Sequence, residues 1–389
     1  MPVLSGIRVL DLAYGWSGAM AGMLLADQGA EIVRVDLPNQ PLRQHLGAHV
    51  WLRGRRSLQL DPNQPESGEI VRKLALRADV LLADATMAKG ATVIPPYDEL
   101  AAEHPRLIYC LLTGYGEEGP LAEEYGHDHL VAARTGVHDQ PGWREGPTYI
   151  SVPIPSLATA GLAVQAIGAA LYVRERTGRG QRVTTSLFAG GLAAQPGMVN
   201  SQRPMAERGF GVVGRHPFGS SPFYRIYECA DGRWLHFGCL TPRLIQNAIR
   251  ALELRELFTD PRFGDGRNIP TPEARNELIE IVTGIMRRQP YAEWAELFER
   301  EDVPYAPPQW TEDFMDDPQV RHLGLVVDAE DPEVGPIELM GPTFFFRGDL
   351  GRFPGPTPLI GQHTREVLEE LGYASEDVDR LGKEGIISS

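Results

Sequence analysis

The first hundred residues predict a doubly wound α/β fold, a mostly parallel sheet covered by helices on both faces. Three observations carry the expectation. Short β-branched runs alternate with helical patterns, as βαβ units require. A stretch rich in Gly, Pro and Arg, 201–221, has no apolar period and reads as a linker. After a further segment of different composition, the tail returns to strand-like text. The chain therefore divides into a large α/β domain begun at 1–200, a linker at 201–221, a smaller α+β domain at 222–315, and a C-terminal part, 316–389, that rejoins the large domain.

Taken in order, Ile7–Leu12 reads as the first strand, Gly18–Gln28 as a helix and Glu31–Asp36 as the second strand. Further strands are expected at Ser57–Leu60, Val80–Ala83 and Leu107–Leu112, with a helix over Glu69–Ala78. Leu157–Val173 is the longest uncharged apolar stretch, but it falls short of the roughly 20 residues a membrane span needs. Its Ala and Gly content suggests a buried helix in close contact with other backbone, with Arg174, Glu175 and Arg176 marking its emergence into water. In the smaller domain, Phe223–Ala230 and Arg233–Cys239 flank Asp231-Gly232, a hairpin signal. Helices are expected from Thr271-Pro272-Glu273 and from Pro290, where threonine can cap and proline suits the first turn. Strands at Leu325–Asp328 and Ile337–Met340 and helices from near Thr364 complete the tail.

Composition narrows function. The 389 residues carry 37 basic and 52 acidic side chains, a net charge of −15, and the pI is about 5.2. Such a balance disfavours nucleic acid or an anionic membrane surface as the main partner. The three cysteines, Cys110, Cys229 and Cys239, have no C-x-x-C spacing, and Met1–Gly6 lacks a basic or apolar leader pattern, so a reducing, cytoplasmic setting is expected. The ten histidines and many acids show no tetrahedral ligand spacing, so no metal is expected.

The first βα turn, Tyr14 to Gly22, invites a dinucleotide reading, with Asp36 where a ribose-binding acid would stand. Its glycines, Gly15, Gly18 and Gly22, do not make G-x-G-x-x-G, and Trp16 stands where backbone must approach a pyrophosphate. Close helix-to-sheet packing explains the glycines better.

Other segments, read together, carry a family resemblance. They are Leu4-Ser-Gly-Ile-Arg-Val-Leu-Asp-Leu12, Leu25-Ala-Asp-Gln-Gly-Ala-Glu-Ile-Val33, Arg53-Gly-Arg-Arg-Ser57, Pro105-Arg-Leu-Ile-Tyr-Cys110, Thr113-Gly-Tyr-Gly116 with Gly119-Pro120, Gly126-His-Asp128, Arg174-Glu-Arg-Thr-Gly-Arg-Gly-Gln181, Asp317-Pro-Gln-Val320 and Gly361-Gln-His-Thr364. In this order and spacing the chain resembles the class III CoA-transferase family. The resemblance implies a Rossmann-like large domain, a small domain, and a dimer of two chains threaded as interlocked rings. It implies CoA or an acyl-CoA as substrate, the CoA passing to a free carboxylic acid or, in related racemases, the acyl group being epimerised at its α-carbon.

The transfer chemistry uses an aspartate that attacks the thioester, forms a mixed anhydride and then carries CoA. The resemblance puts that aspartate at Ser156, and no Asp or Glu occurs between Glu145 and Glu175. A serine ester lacks the activation of an anhydride, so Ser156 reads best as the N-cap of the helix that follows it. His127-Asp128 matches the His-Asp pair in which the racemases use histidine as a base, while the small-domain glutamate of racemases corresponds to Thr241. Family CoA contacts correspond to Ser17 and Leu60. An arginine and an Asn-Phe pair of the family are replaced by Leu37 and by Asp84-Ala85, and basic contacts of some members fall on Thr92 and Tyr125. Arg53, Arg55 and Arg56 could meet phosphates or form a solvated basic turn.

Three readings follow. In the first, this chain is a subunit without its own nucleophile, paired with an Asp-bearing paralogue in a heterodimer. In the second, a homodimer performs altered chemistry on a CoA thioester, such as racemase-like proton transfer, elimination or hydrolysis, through His127, Asp128 or Ser156. In the third, the chain is a non-catalytic binding or scaffold protein.

Overall fold

The computed structural model describes residues 2–85, 94–138, 147–195, 218–219, 221–346 and 353–388. Most of the 201–221 linker and Thr92 lie outside them. The described residues form two compact units, one drawn from 1–138, 150–196 and 317–389, the other from 139–149 and 197–316.

The larger unit is α/β, as its alternating pattern predicts. Its elements are β1 (Arg8–Leu12), α1 (Trp16–Asp27), β2 (Glu31–Asp36), α2 (Ala48–Trp51), β3 (Arg55–Leu60), α3 (Pro65–Ala75), β4 (Val80–Asp84), α4 (Tyr97–Glu103), β5 (Ile108–Thr113), α5 (Asp128–Thr135), α6 (Ile154–Thr177), β6 (Arg182–Ser186) and α7 (Leu187–Ala193). The seven-stranded sheet runs β3-β2-β1-β4-β5-β6 in parallel, and Ile387–Ser388 adds antiparallel to the outer edge of β3. The strand order reverses between β1 and β4. In such sheets the crevice outside the carboxyl ends of the strands at the reversal is where ligands bind.

Alternate residues of each strand serve opposite faces. Leu10, Leu12, Leu58, Leu81 and Tyr109 pack with Ile70 and Leu74 of α3 and with Val367 and Leu368 of the helix Thr364–Glu370. Val9, Ile32, Val80, Ile108 and Cys110 pack with Met20 and Leu25 of α1 and with Ala160, Ala163, Ile167 and Ala170 of α6. The three-then-four spacing of those α6 residues makes one small-residue stripe, so the helix can lie close to the sheet. α6 is long and apolar enough to pass a length-and-composition test for a membrane span, yet this stripe belongs to the core. Arg174, expected in water, is instead buried at 3% exposure, its Nη1 donating to Asp79 Oδ1 at 3.0 Å. Only Glu175 and Arg176 emerge.

The start of α6 also differs from expectation. Helical geometry begins at Ile154, with Pro155 in the first turn, so Ser156 is the third helical residue and not the N-cap. The first turn is capped from outside, by Asp128 of α5, whose Oδ1 accepts the Ser156 N–H at 2.7 Å. A proline preset for the helical φ moves the boundary back by three residues, to an N-cap at Pro153.

The smaller unit pairs β7 (Ile226–Glu228), β8 (Trp234–Phe237) and β9 (Tyr305–Ala306) in an antiparallel sheet. Gly232, at φ +76°, turns the hairpin. Phe237, Phe263 and Phe298 are fully buried with Trp294 in its core. Thr271 caps the helix Pro272–Met286 through Ala274 N–H at 3.2 Å, and Pro290 precedes the helix Tyr291–Arg300.

Candidate functional site

Two turns bring the site together. After β1 the chain passes through Tyr14 and Gly15 into α1, and the Gly15 N–H donates to Asp84 Oδ2 at 3.0 Å, so the end of β4 fixes the entry to α1. After β5 a loop returns to α5, held by backbone contact between two glycines. A Cβ on Gly126 would lie 2.2 Å from Gly114 Cα, so only glycine lets these strands of loop touch. His127 and Asp128 follow directly, at the start of α5, opposite the first turn of α6.

These segments enclose a cavity of about 220 Å³ at the carboxyl ends of the strands. Tyr14, Ser17, His127, Asp128 and Ser156 line it, with Trp16, Leu42, His45 and Leu187 as apolar and aromatic wall. Trp16 is the hub of that wall. Its ring centre lies 4.9 Å from His45, 5.4 Å from His127, 5.8 Å from Trp51 and 5.9 Å from His129, and His45 stacks on Trp51 at 5.1 Å.

Polar atoms of this cavity are unusual in what they lack. Tyr14 Oη, Ser17 Oγ and Asp128 Oδ2 are buried and make no hydrogen bond among the described residues. Ser17 is 1% exposed and Asp128 3%. Most buried polar atoms are paired, because leaving one unpaired costs about 1–3 kcal/mol. Three around one cavity mark a surface shaped for a ligand with hydrogen-bonding groups. Burial raises the Tyr14 phenol pKa well above its ordinary value, so it offers a hydroxyl rather than a phenolate. Burial, aided by neighbouring His129, holds the His127 imidazole below its ordinary pKa against the opposing pull of Asp128. At neutral pH His127 is thus an uncharged base.

A second polar group lies behind the same turn. Arg34 donates Nε to Asp36 Oδ1 at 2.9 Å, Nη1 to Asp11 Oδ2 at 3.1 Å and to Ala13 O at 2.7 Å, and Nη2 to Gln40 Oε1 at 3.1 Å. Arg55 Nε donates to Asp11 Oδ2 at 2.8 Å and Nη2 to Ala19 O at 2.6 Å. Asp36 also receives Arg43 and, at 2.6 Å, Ser57 Oγ. Asp36 is therefore fully occupied within the protein, which removes it as a ribose ligand.

Of the catalytic and CoA-binding candidates from sequence, Ser17, His127, Asp128 and Ser156 meet at the cavity, while Leu60, Asp84, Ala85, Arg53, Arg55 and Arg56 do not line it. Leu60 is core, at the end of β3 against Ile387. Asp84 is buried under the α1 entry, and Ala85 donates its N–H to Leu112 O at 2.8 Å. Two of the three arginines of the basic turn are buried, and Arg56 is partly exposed. Arg53 is fully buried, with Nε and Nη2 donating to Asp27 at 3.0 and 2.6 Å. Arg55 is buried on Asp11, and Arg56 pairs with Glu366 and Glu370 at 2.8 and 2.7 Å. Carboxylates distant in sequence explain this, since the partners come from α1, β1 and the tail. Tyr14 and His45 were not singled out. Tyr14 carried no signal beyond its place in the βα turn, and His45 reaches the cavity from a loop after β2 whose path the sequence does not set. Among the described residues no group of three His, Cys, Asp or Glu side chains is arranged to hold a metal ion.

The chain is similar to known proteins along nearly its whole length. A family model described as CoA-transferase family III matches residues 4–364. Succinyl-CoA:glutarate CoA-transferase of Mus musculus is 30% identical over 403 residues, covering 100% of this chain and 91% of that protein. Alpha-methylacyl-CoA racemase of Homo sapiens is 29% identical over 394 residues, covering 99% and 98%. Among solved structures, a CAIB/BAIF family protein from Brucella suis superposes with a TM-score of 0.79 at 25% identity, covering 95% of this chain and 99% of the other.

Proposed function

From the premise that this chain belongs to CoA-transferase family III, we propose that it moves coenzyme A from an acyl-CoA thioester to a free carboxylic acid at the cavity between the α1 entry, α5 and α6. The observation that carries this reading is the set of unpartnered polar atoms, Tyr14 Oη, Ser17 Oγ and Asp128 Oδ2, around one apolar-walled space. A thioester carbonyl meets two hydroxyl donors there, and the apolar wall of Trp16, Leu42 and Leu187 accepts the carbon chain of an acyl group. Hydroxyl donors aimed at a carbonyl oxygen that gains negative charge lower the barrier to attack on its carbon. The test is direct: purified chain, succinyl-CoA and isotopically labelled glutarate, with the labelled thioester read by mass spectrometry. Formation of glutaryl-CoA supports transfer. Loss of succinyl-CoA to free CoA alone would instead indicate hydrolysis.

A second reading, an unequal pair in which a paralogous chain brings the aspartate, is favoured by one observation, the absence of a carboxyl group at Ser156. Native mass spectrometry of the protein taken from its own cells tests it. A heteromer with a second chain of similar mass, bearing aspartate at the corresponding position, would establish it, and a homodimer that transfers CoA would remove it. Proton abstraction by neutral His127 is read in the same material as deuterium entering the α-carbon of a 2-methylacyl-CoA in heavy water. A cytoplasmic location is part of the proposal, in keeping with three free, buried thiols.

A further inference from the structure

We infer that Asp128 provides the carboxylate on which CoA is carried, in place of the residue at position 156; the inference rests on the CoA-transfer reading above. Three observations point to it. First, Asp128 Oδ1 accepts the Ser156 N–H at 2.7 Å, so its carboxyl group lies against the backbone of the position from which the aspartate is missing. Second, capping α6 uses only that oxygen. Oδ2 is buried and makes no hydrogen bond among the described residues, Asp128 is one of the residues lining the cavity, and His129 Nδ1 lies 3.9 Å from Oδ2. Third, Ser17 Oγ and Tyr14 Oη lie at the same cavity with hydrogen-bonding capacity unused, the groups an oxyanion formed by attack on a carbonyl requires.

The bonds balance without any further reagent. Asp128 Oδ2 attacks the donor carbonyl carbon, a C–O bond forms, and the C–S bond breaks with its electron pair leaving as the CoA thiolate. The thiolate attacks the Cγ carbonyl of the resulting anhydride, which releases the donor as a free carboxylate and leaves Asp128 as a CoA thioester. The acceptor carboxylate attacks Cγ in turn and expels the thiolate, which then attacks the acceptor carbonyl of the second anhydride. The new acyl-CoA departs and the Asp128 carboxylate is restored. Ser156 cannot take this part, because its alkoxide is a poor leaving group toward a thiolate.

The experiment is to trap the thioester on the full chain. Protein is incubated with acetyl-, succinyl- or 2-methylpropanoyl-CoA, quenched with hydroxylamine and mapped by peptide mass spectrometry, with CoA transfer to glutarate measured in parallel. The expected result is a hydroxamate on Asp128. Asp128→Asn keeps an oxygen to accept the Ser156 N–H, so it is expected to melt near wild type while losing transfer by about 10³-fold or more. The double variant D128N/S156D should regain transfer, with the hydroxamate now at position 156. Transfer accompanied by a hydroxamate on any other residue, or by D128N activity within tenfold of wild type, overturns the inference and leaves CoA transfer standing. Neither transfer nor label with any donor overturns both.

Discussion

Two buried polar groups share the turn that leaves β1, and they are finished in opposite ways. In the first, Asp11, Arg34, Asp36 and Arg55 exchange hydrogen bonds until nearly every oxygen and nitrogen is used, with Ser57, Gln40 and backbone carbonyls taking the remainder. In the second, one turn further along the chain, Tyr14, Ser17 and Asp128 leave polar atoms unbonded around a cavity. The contrast separates two uses of buried polarity. The paired carboxylates and guanidiniums hold β1, β2 and β3 together at their carboxyl ends, and of this network's side chains only Gln40 Nε2 is buried without a hydrogen bond among the described residues. An unsatisfied one weakens the fold slightly and keeps its hydrogen bonds for a substrate.

The sharpest way to break that comparison is to cut the satisfied side. Arg34→Met removes the cation shared by two buried carboxylates, leaving Asp11 with Arg55 and Asp36 with Arg43, and is expected to cost about 3–5 kcal/mol of stability, measured by urea unfolding; a loss under about 1 kcal/mol would show that the network is not structural. Gly126→Ala comes next. Its Cβ would sit 2.2 Å from Gly114 Cα, so the loop before His127 must move, at about 1–3 kcal/mol, and CoA transfer should fall with it. Tyr14→Phe and Ser17→Ala probe the other side. Each removes a hydroxyl that makes no hydrogen bond among the described residues, so the unfolding free energy should change by less than about 0.5 kcal/mol, while kcat/KM for thioester should fall about tenfold. A large stability loss from either would move these hydroxyls to the structural class.

Titration gives the smallest effects and separates the groups again. Arg34 and Arg43 hold the Asp36 carboxyl below its usual range despite its burial. The stability this contributes is full above about pH 4 and is lost as pH falls through the depressed folded value. His127 has the opposite chemistry. Its pKa is lowered by burial and by His129, so the unfolded chain binds the proton first and stability falls as pH drops through the window just below about 6.5. Should His127 act as a base, the acid limb of the rate would lie in that same window, and His129→Ala should move it toward higher pH. A rate independent of pH between about 5 and 7 would remove His127 from the reaction.

Much of this was legible in the chain. The alternation of β-branched runs with helical patterns placed β1 to β5 within one or two residues, because strands buried on both faces must be apolar throughout. The residues Ser17, His127, Asp128 and Ser156 were found through a family resemblance carried by local motifs. The arginine turn was misread for a physical reason. Arg53 and Arg55 look like surface charges until Asp27 and Asp11 are brought beside them, and no local pattern reveals which acid a buried guanidinium will meet. The N-cap was misplaced by three residues because Ile154, Pro155 and Ser156 all enter the helix, with Asp128 capping it from another element.

Sequence alone determined the α/β class, the family, and the absence of a carboxyl group at position 156, since each is written in periodicity, motif order or a single residue. Only the tertiary structure decided that the Asp128 carboxylate lies against the Ser156 backbone, that one of its oxygens accepts from α6 and the other makes no hydrogen bond among the described residues, and that Tyr14, Ser17 and His45 join it around one cavity. Those facts depend on which atoms remain without partners after folding, and that is a property of distances between segments far apart in the chain.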